Sequence, residues 1–156
     1  MRGLSFNHKT IFVYVFKELL LYFIVSFLFF FFIFFVNQIL LMAEEILSKK
    51  APTKDVLLLL FYSLPFIIAT TAPYAALIGT LMCLGRFSAD HEFISMNALG
   101  ISTSFILIPV FALGVFVSVG SFITNDILIP RGTIKFNEVL YNIASSTPAL
   151  ELESYS

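Results

Sequence analysis

The chain has 156 residues, of which 59% are hydrophobic and 12% charged, with 20 phenylalanines and a net charge of −1. That charged share is about half of what soluble domains carry, and one small core cannot hide so much apolar surface, so the composition excludes a soluble globular fold and indicates an integral membrane protein. No basic field marks nucleic acid as a partner.

Residues 1–18, with "IFVYVFKELL" and the cations Arg2, Lys9 and Lys17, read as an N-terminal interfacial helix. Residues 19–41 carry no charge. Their length, about 35 Å as a helix, covers a bilayer core of about 30 Å. A signal peptide is the competing reading, but a signal's apolar core is only about 7–15 residues long, and "LLMAEE" is a poor cleavage site. The polar residues Tyr22, Ser26 and Asn37 fall within about 60° of one another on this first span, opposite a face of phenylalanines. That stripe is expected to face protein or a polar cavity, with Asn37 and Gln38 as candidate substrate contacts.

A loop over 42–55 leads to a second span at 56–85. Pro65 and Pro73 remove donors from the carbonyls of Phe61 and Ala69, so each is expected to kink the helix. Thr70 and Thr71 are close enough to help satisfy the freed groups. Ala72 with Ala76, Ala75 with Gly79, and Gly114 with Ser118 repeat small residues four apart, a spacing that lets helices approach closely in lipid.

The segment "GRFSADHEFISMNALGIS", residues 85–102, places Arg86, Asp90, His91 and Glu92 between two apolar runs. Ser88 is a plausible N-cap, with Asp90 and Glu92 in the first turn and Gly100 as the stop. The expected helix runs from Ala89 to Leu99, with Phe93, Met96 and Gly100 along one stripe. Each charge costs about 2.5–3.5 kcal/mol at mid-bilayer, so the helix should lie in the interface with its acids in water. A third span then occupies 101–125, kinked at Pro109, which frees the carbonyl of Phe105. Beyond it, from 126 to 156, "TIKF" and "ALELESY" alternate apolar and polar residues as short strands do, with a break at Pro148. Two short strands make no stable sheet, so this tail needs strands from elsewhere.

Lysines and arginines total four on one side of the membrane and five on the other, so the positive-inside rule leaves orientation open. Cys83 is a single thiol inside an apolar run and reads as buried and inert. His8 and His91 read as ordinary polar residues. No phosphate loop, metal-ligand spacing or nucleophile–base set is present, so the chain is not expected to be an enzyme.

The arrangement Arg86-Phe87-x-x-Asp90-x-Glu92-Phe93-x-x-Met96-x-Ala98-x-Gly100-Ile101-Ser102 resembles the signature of the lipopolysaccharide-export permease family, LptF/LptG. "YVFKELL", "SLPFIIATTAPYAALIGTLMCLGRFS", "ILIPVF" and "TNDILIP" resemble other parts of that family, in its order and spacing. The resemblance implies an ABC-transporter membrane subunit of the bacterial inner membrane, paired with a second related permease and driven by an ATPase dimer that binds the ATP. Such a subunit extracts a lipopolysaccharide-like glycolipid and passes it to periplasmic lipid-bridge proteins. Residues 86–100 would be the coupling helix, with Glu92 facing a basic group on the ATPase, and Arg86, Asp90, Phe93, Met96 and Gly100 shaping the contact. The N-terminus would be cytoplasmic and the tail periplasmic, as the start of a β-jellyroll domain. The chain corresponds to roughly the first half of the family pattern, as a fragment, a truncated reading frame or half of a split gene would. Where the family tends to carry basic residues that meet lipid phosphates, this chain has Asn37 and Gln38, which points to a less anionic glycolipid. The alternative is a membrane scaffold subunit that transports nothing; an ATPase partner discriminates the two.

Overall fold

The computed structural model describes residues 8–49 and 52–153; Arg2, Lys50 and residues 154–156, which entered the charge count and the second expected strand, lie outside the described residues, as do the side chains of Lys49 and Pro148. The described elements are all helical: α1 (His8–Lys49), α2 (Thr53–Ala89), a short α3 (Glu92–Ala98), α4 (Thr103–Ile123), a π turn (Thr124–Leu128) and α5 (Ile129–Glu153). Three stretches are long and apolar enough to cross a membrane, His8–Glu44, Thr53–Ala89 and Thr103–Ser145. The helical membrane class read from composition is the one that forms.

No glycine or proline lies between residues 8 and 49. Nothing therefore interrupts the backbone ladder, and α1 runs through the boundary expected at 18/19 as one helix of 42 residues. Its surface inverts the soluble pattern. Phe29 and Phe32 are 62% and 66% exposed, whereas Ser26 and Thr71 are buried. Lipid accepts the rings at no cost, and it is the polar groups that must be enclosed. The Ser63 hydroxyl donates to the Leu59 carbonyl at 2.8 Å, Thr70 to Phe66 at 2.9 Å and Thr71 to Ile67 at 2.6 Å. These are not the carbonyls that Pro65 and Pro73 leave without donors. The threonines satisfy their own hydroxyls on the preceding turn instead of serving the prolines.

The chain divides into two compact units. In the first, Met1–Phe30 with Ala72–Gly120, Val15 and Leu19 of α1 pack with Cys83 and Phe87 of α2 and with Ile101, Ile106 and Leu113. Ala75 is fully buried, and a Cβ at Gly79 would stand 2.8 Å from the Phe23 Cα. The Ala75/Gly79 spacing thus brings the α1 and α2 backbones into contact. Gly114 and Ser118 are both exposed, and a Cβ at Gly114 would meet nothing within 4 Å.

The second unit, Phe31–Thr71 with Ser121–Ser156, buries Met42, Leu59 and Ile143, flanked by Leu60, Phe136, Val139 and Leu140. Here a Cβ at Gly132 would lie 2.9 Å from the Tyr62 carbonyl oxygen, so α5 rides directly on α2. The strands expected within 126–156 do not form; Ile129–Glu153 is helix, with no break at 148. Phe136, Val139, Leu140 and Ile143 stand at i, i+3, i+4 and i+7, one face of a helix. That face finds a core, whereas a lone strand would find no neighbour to bond its backbone. The π turn ahead of α5 closes with the Ile129 N–H on the Thr124 carbonyl. Pro130 follows at once and has no N–H to continue the ladder, and a widened turn absorbs that loss.

Gly79→Ala is expected to lower stability by about 1–3 kcal/mol, because the added methyl meets backbone. Gly114→Ala should be neutral or stabilising by up to about 1 kcal/mol. Denaturation by SDS in mixed micelles, followed by circular dichroism, measures both; equal midpoints would contradict the close approach.

Candidate functional site

The polar segment between α2 and α4 is built by backbone geometry first. α2 continues to Ala89, so Ser88 lies in its last turn and is not the N-cap. The chain turns through Asp90 and His91, with the Asp90 N–H on the Arg86 carbonyl at 2.9 Å and the His91 N–H on the Ser88 carbonyl at 3.2 Å. His91 adopts φ 56°, the left-handed region. Histidine enters that region more readily than most residues, and here it redirects the chain into α3. The expected helix of Ala89–Leu99 is thereby shortened to Glu92–Ala98.

At the other end of α3 the Gly100 N–H bonds the Asn97 carbonyl and the Ile101 N–H bonds the Met96 carbonyl, both at 3.0 Å. This is a Schellman motif, and Gly100, at φ +84°, supplies the left-handed residue that it needs. Ile101 is buried beside Met96, which gives the motif its usual apolar contact. Gly100 therefore stops α3 as its sequence position indicated.

α3 has two faces. Phe93 and Met96 turn inward against the core of the first unit, and the Phe93 ring meets the Phe87 ring edge-on with centroids 6.0 Å apart. Ile94 and Leu99 point outward, 65% and 56% exposed.

The charges are tied to α1. An Arg86 Nη1 donates to Glu18 Oε2 at 2.6 Å, and Nε donates to Asp90 Oδ2 at 3.3 Å. One guanidinium thus joins α1, the end of α2 and the turn into α3. The Tyr14 hydroxyl donates to Glu92, 3.3 and 3.4 Å from its two carboxylate oxygens. The Tyr14 ring stacks on Phe87 with centroids 6.1 Å apart. The acid at the start of α3 is therefore held by a weak, neutral donor that a cation could displace.

A family model, Lipopolysaccharide export system permease LptF/LptG, matches residues 13–156. The chain belongs to the LptF/LptG family. No curated protein and no solved structure matches it. The family is one of transporter permeases, and the match takes in both the 86–102 segment and the α1 residues that brace it.

Within this LptF/LptG chain, the residues singled out from sequence divide by position. Arg86, Asp90, Glu92, Phe93, Met96 and Gly100 all converge on one turn and one short helix. Gln38 lines a cavity of about 310 Å³ in the second unit, whereas Asn37 is exposed and not part of its wall. Pro65 and Pro73 lie within α2 and Pro109 is buried in α4; the helices continue through all three. Sequence reading missed Tyr14, Glu18, Ile94 and Leu99. A signal existed for the first two: Tyr14 and Glu18 are four apart on one face of α1, and the Glu18 charge is opposite to that of Arg86 at the end of α2.

The Arg86–Glu18 pair is partly exposed, at 38% and 23%, so its coupling is expected to be that of a surface pair, small and weakened by salt. A double-mutant cycle with Glu18→Gln and Arg86→Gln, read by SDS denaturation, measures it. Asp90→Asn should cost less than Glu18→Gln, because its contact is longer and more exposed.

Proposed function

We propose that this chain is a membrane subunit of an ABC transporter of the bacterial inner membrane, moving a lipopolysaccharide-like glycolipid toward the outer membrane. Its α3 is the helix on which a separate ATPase docks. The carrying observation is the division of labour around α3: Phe93 and Met96 anchor it to the chain's own core, Ile94 and Leu99 are exposed, and the acids at its start, Asp90 and Glu92, are held by Arg86 and the Tyr14 hydroxyl. A small rigid helix with exposed apolar residues and an acid at its start is suited to enter a cleft on a soluble partner and meet a cation there.

In this reading Glu92 exchanges its Tyr14 hydrogen bond for an Arg or Lys of the ATPase. Phe93, Met96 and Gly100 set the helix's pose. Arg86, held by Glu18 and Asp90, carries the push from the ATPase into α1 and α2. Pro65, Pro73 and Pro109 supply the bends a transport cycle uses. The family match supports the lipid-export setting, and with it a second related permease, periplasmic lipid-bridge proteins, and a cytoplasmic face for the N-terminus and α3. Asn37 and Gln38 mark the lipid side of the spans, and their neutrality supports a less anionic lipid.

Glu92→Lys is expected to reduce capture of the ATPase from detergent extracts at least tenfold and to abolish lipid export. Tyr14→Phe should leave capture within about twofold, because it removes only the exchangeable donor. Capture by the wild type should fall as salt rises, as expected for a partly exposed ion pair. Unchanged capture and export in Glu92→Lys would overturn the coupling role.

A further inference from the structure

α3 has only seven residues, about two turns of helix. So short an element takes its direction from the joints at its two ends. Both joints are left-handed. At the far end φ is +84° at Gly100, where no side chain opposes it. At the near end φ is 56° at His91, the one non-glycine residue with positive φ among the described residues.

The backbone at His91 is committed on both sides. Its N–H bonds the Ser88 carbonyl at 3.2 Å and so closes α2. Its carbonyl accepts the Ser95 N–H at 3.0 Å and the Ser95 hydroxyl at 3.1 Å and so opens α3. The flanking acids are tied as well, Asp90 to Arg86 on α2 and Glu92 to Tyr14 on α1. Between those two ties only His91 is left to turn the chain, and its φ and ψ decide where α3 points. The imidazole is exposed and makes no capping bond to α3. The residue therefore acts through its backbone. A β-branched side chain at this place opposes the left-handed region, whereas glycine and asparagine enter it readily.

We propose that His91 is a positioning residue: its left-handed backbone, and not its imidazole, sets the direction in which α3 presents Ile94, Leu99 and Glu92 to the ATPase. This rests on the docking reading above and deepens it, because it makes the pose of α3, and not only the charge at its start, a condition for capture.

Two readouts test it on the full-length chain. The first needs no ATPase. Nitroxides at Val13→Cys on α1 and Ile94→Cys on α3, both exposed positions, report the distance between the two helices by electron paramagnetic resonance in nanodiscs, with Cys83→Ala removing the native thiol. His91→Asn and His91→Gly should keep the wild-type distance, and His91→Val should shift or broaden it. The second readout is capture of the ATPase from detergent extracts by chains that carry only the change at 91. Capture should stay within about twofold for His91→Asn and His91→Gly and fall at least about fivefold for His91→Val, with helicity retained in all three. Where His91→Val does not fold, His91→Ala serves in its place; it keeps a Cβ in the left-handed region without branching, and both its distance and its capture should lie on the impaired side of His91→Gly. An unshifted distance in the variant used, or capture lost as fully in His91→Asn and His91→Gly, would overturn the proposal. Loss of capture in Glu92→Lys together with full capture in His91→Val overturns the positioning role alone, whereas full capture in both overturns the docking reading as well.

Discussion

Arg86 and Glu18 are a cation and an anion carried by two long apolar helices, and a charge left alone in hydrocarbon would be costly. Their contact at 2.6 Å pairs the two charges and ties α1 to the last turn of α2. Other polar contacts of the first unit gather around that pair. Asp90 is drawn to the same guanidinium, His91 takes the left-handed turn, and α3 starts where Glu92 can reach Tyr14. The hydrophobic effect cannot supply this specificity, since lipid is as apolar as the side chains. Packing of small residues and pairing of polar ones must supply it instead.

Gly79 and Gly132 show the packing half of that statement. At each, a methyl group would collide with backbone of a neighbouring helix. Ser63 and Thr71 show the polar half: enclosed hydroxyls close onto their own helix and leave nothing bare to lipid. Against this background one place differs: the short α3, where Ile94 and Leu99 are exposed and the acids at its start, Asp90 and Glu92, are held by Arg86 and the Tyr14 hydroxyl.

The turn at 86–102 also shows how a short polar segment encodes geometry. Gly100 is required by a backbone angle, Phe93 and Met96 by the core behind them, and Arg86 by Glu18. Only Asp90 and Glu92, together with Ile94 and Leu99, keep chemistry available to another molecule. The segment is thus mainly a set of instructions for presenting a small surface.

Much of this was legible in the amino-acid sequence. The apolar run lengths accounted for three stretches long enough to cross a membrane, and Gly100 marked the end of α3. These are local properties, set by nearby residues and the solvent they meet. What only the tertiary structure decided is non-local. The partner of Arg86 lies 68 residues away. Which side of α3 faces inward depends on where Phe87 and Ile101 stand. The tail became helix and not strand because Phe136, Val139, Leu140 and Ile143 found Met42 and Leu59 to cover. Alternation over a few residues is too weak a preference to prevail over that burial.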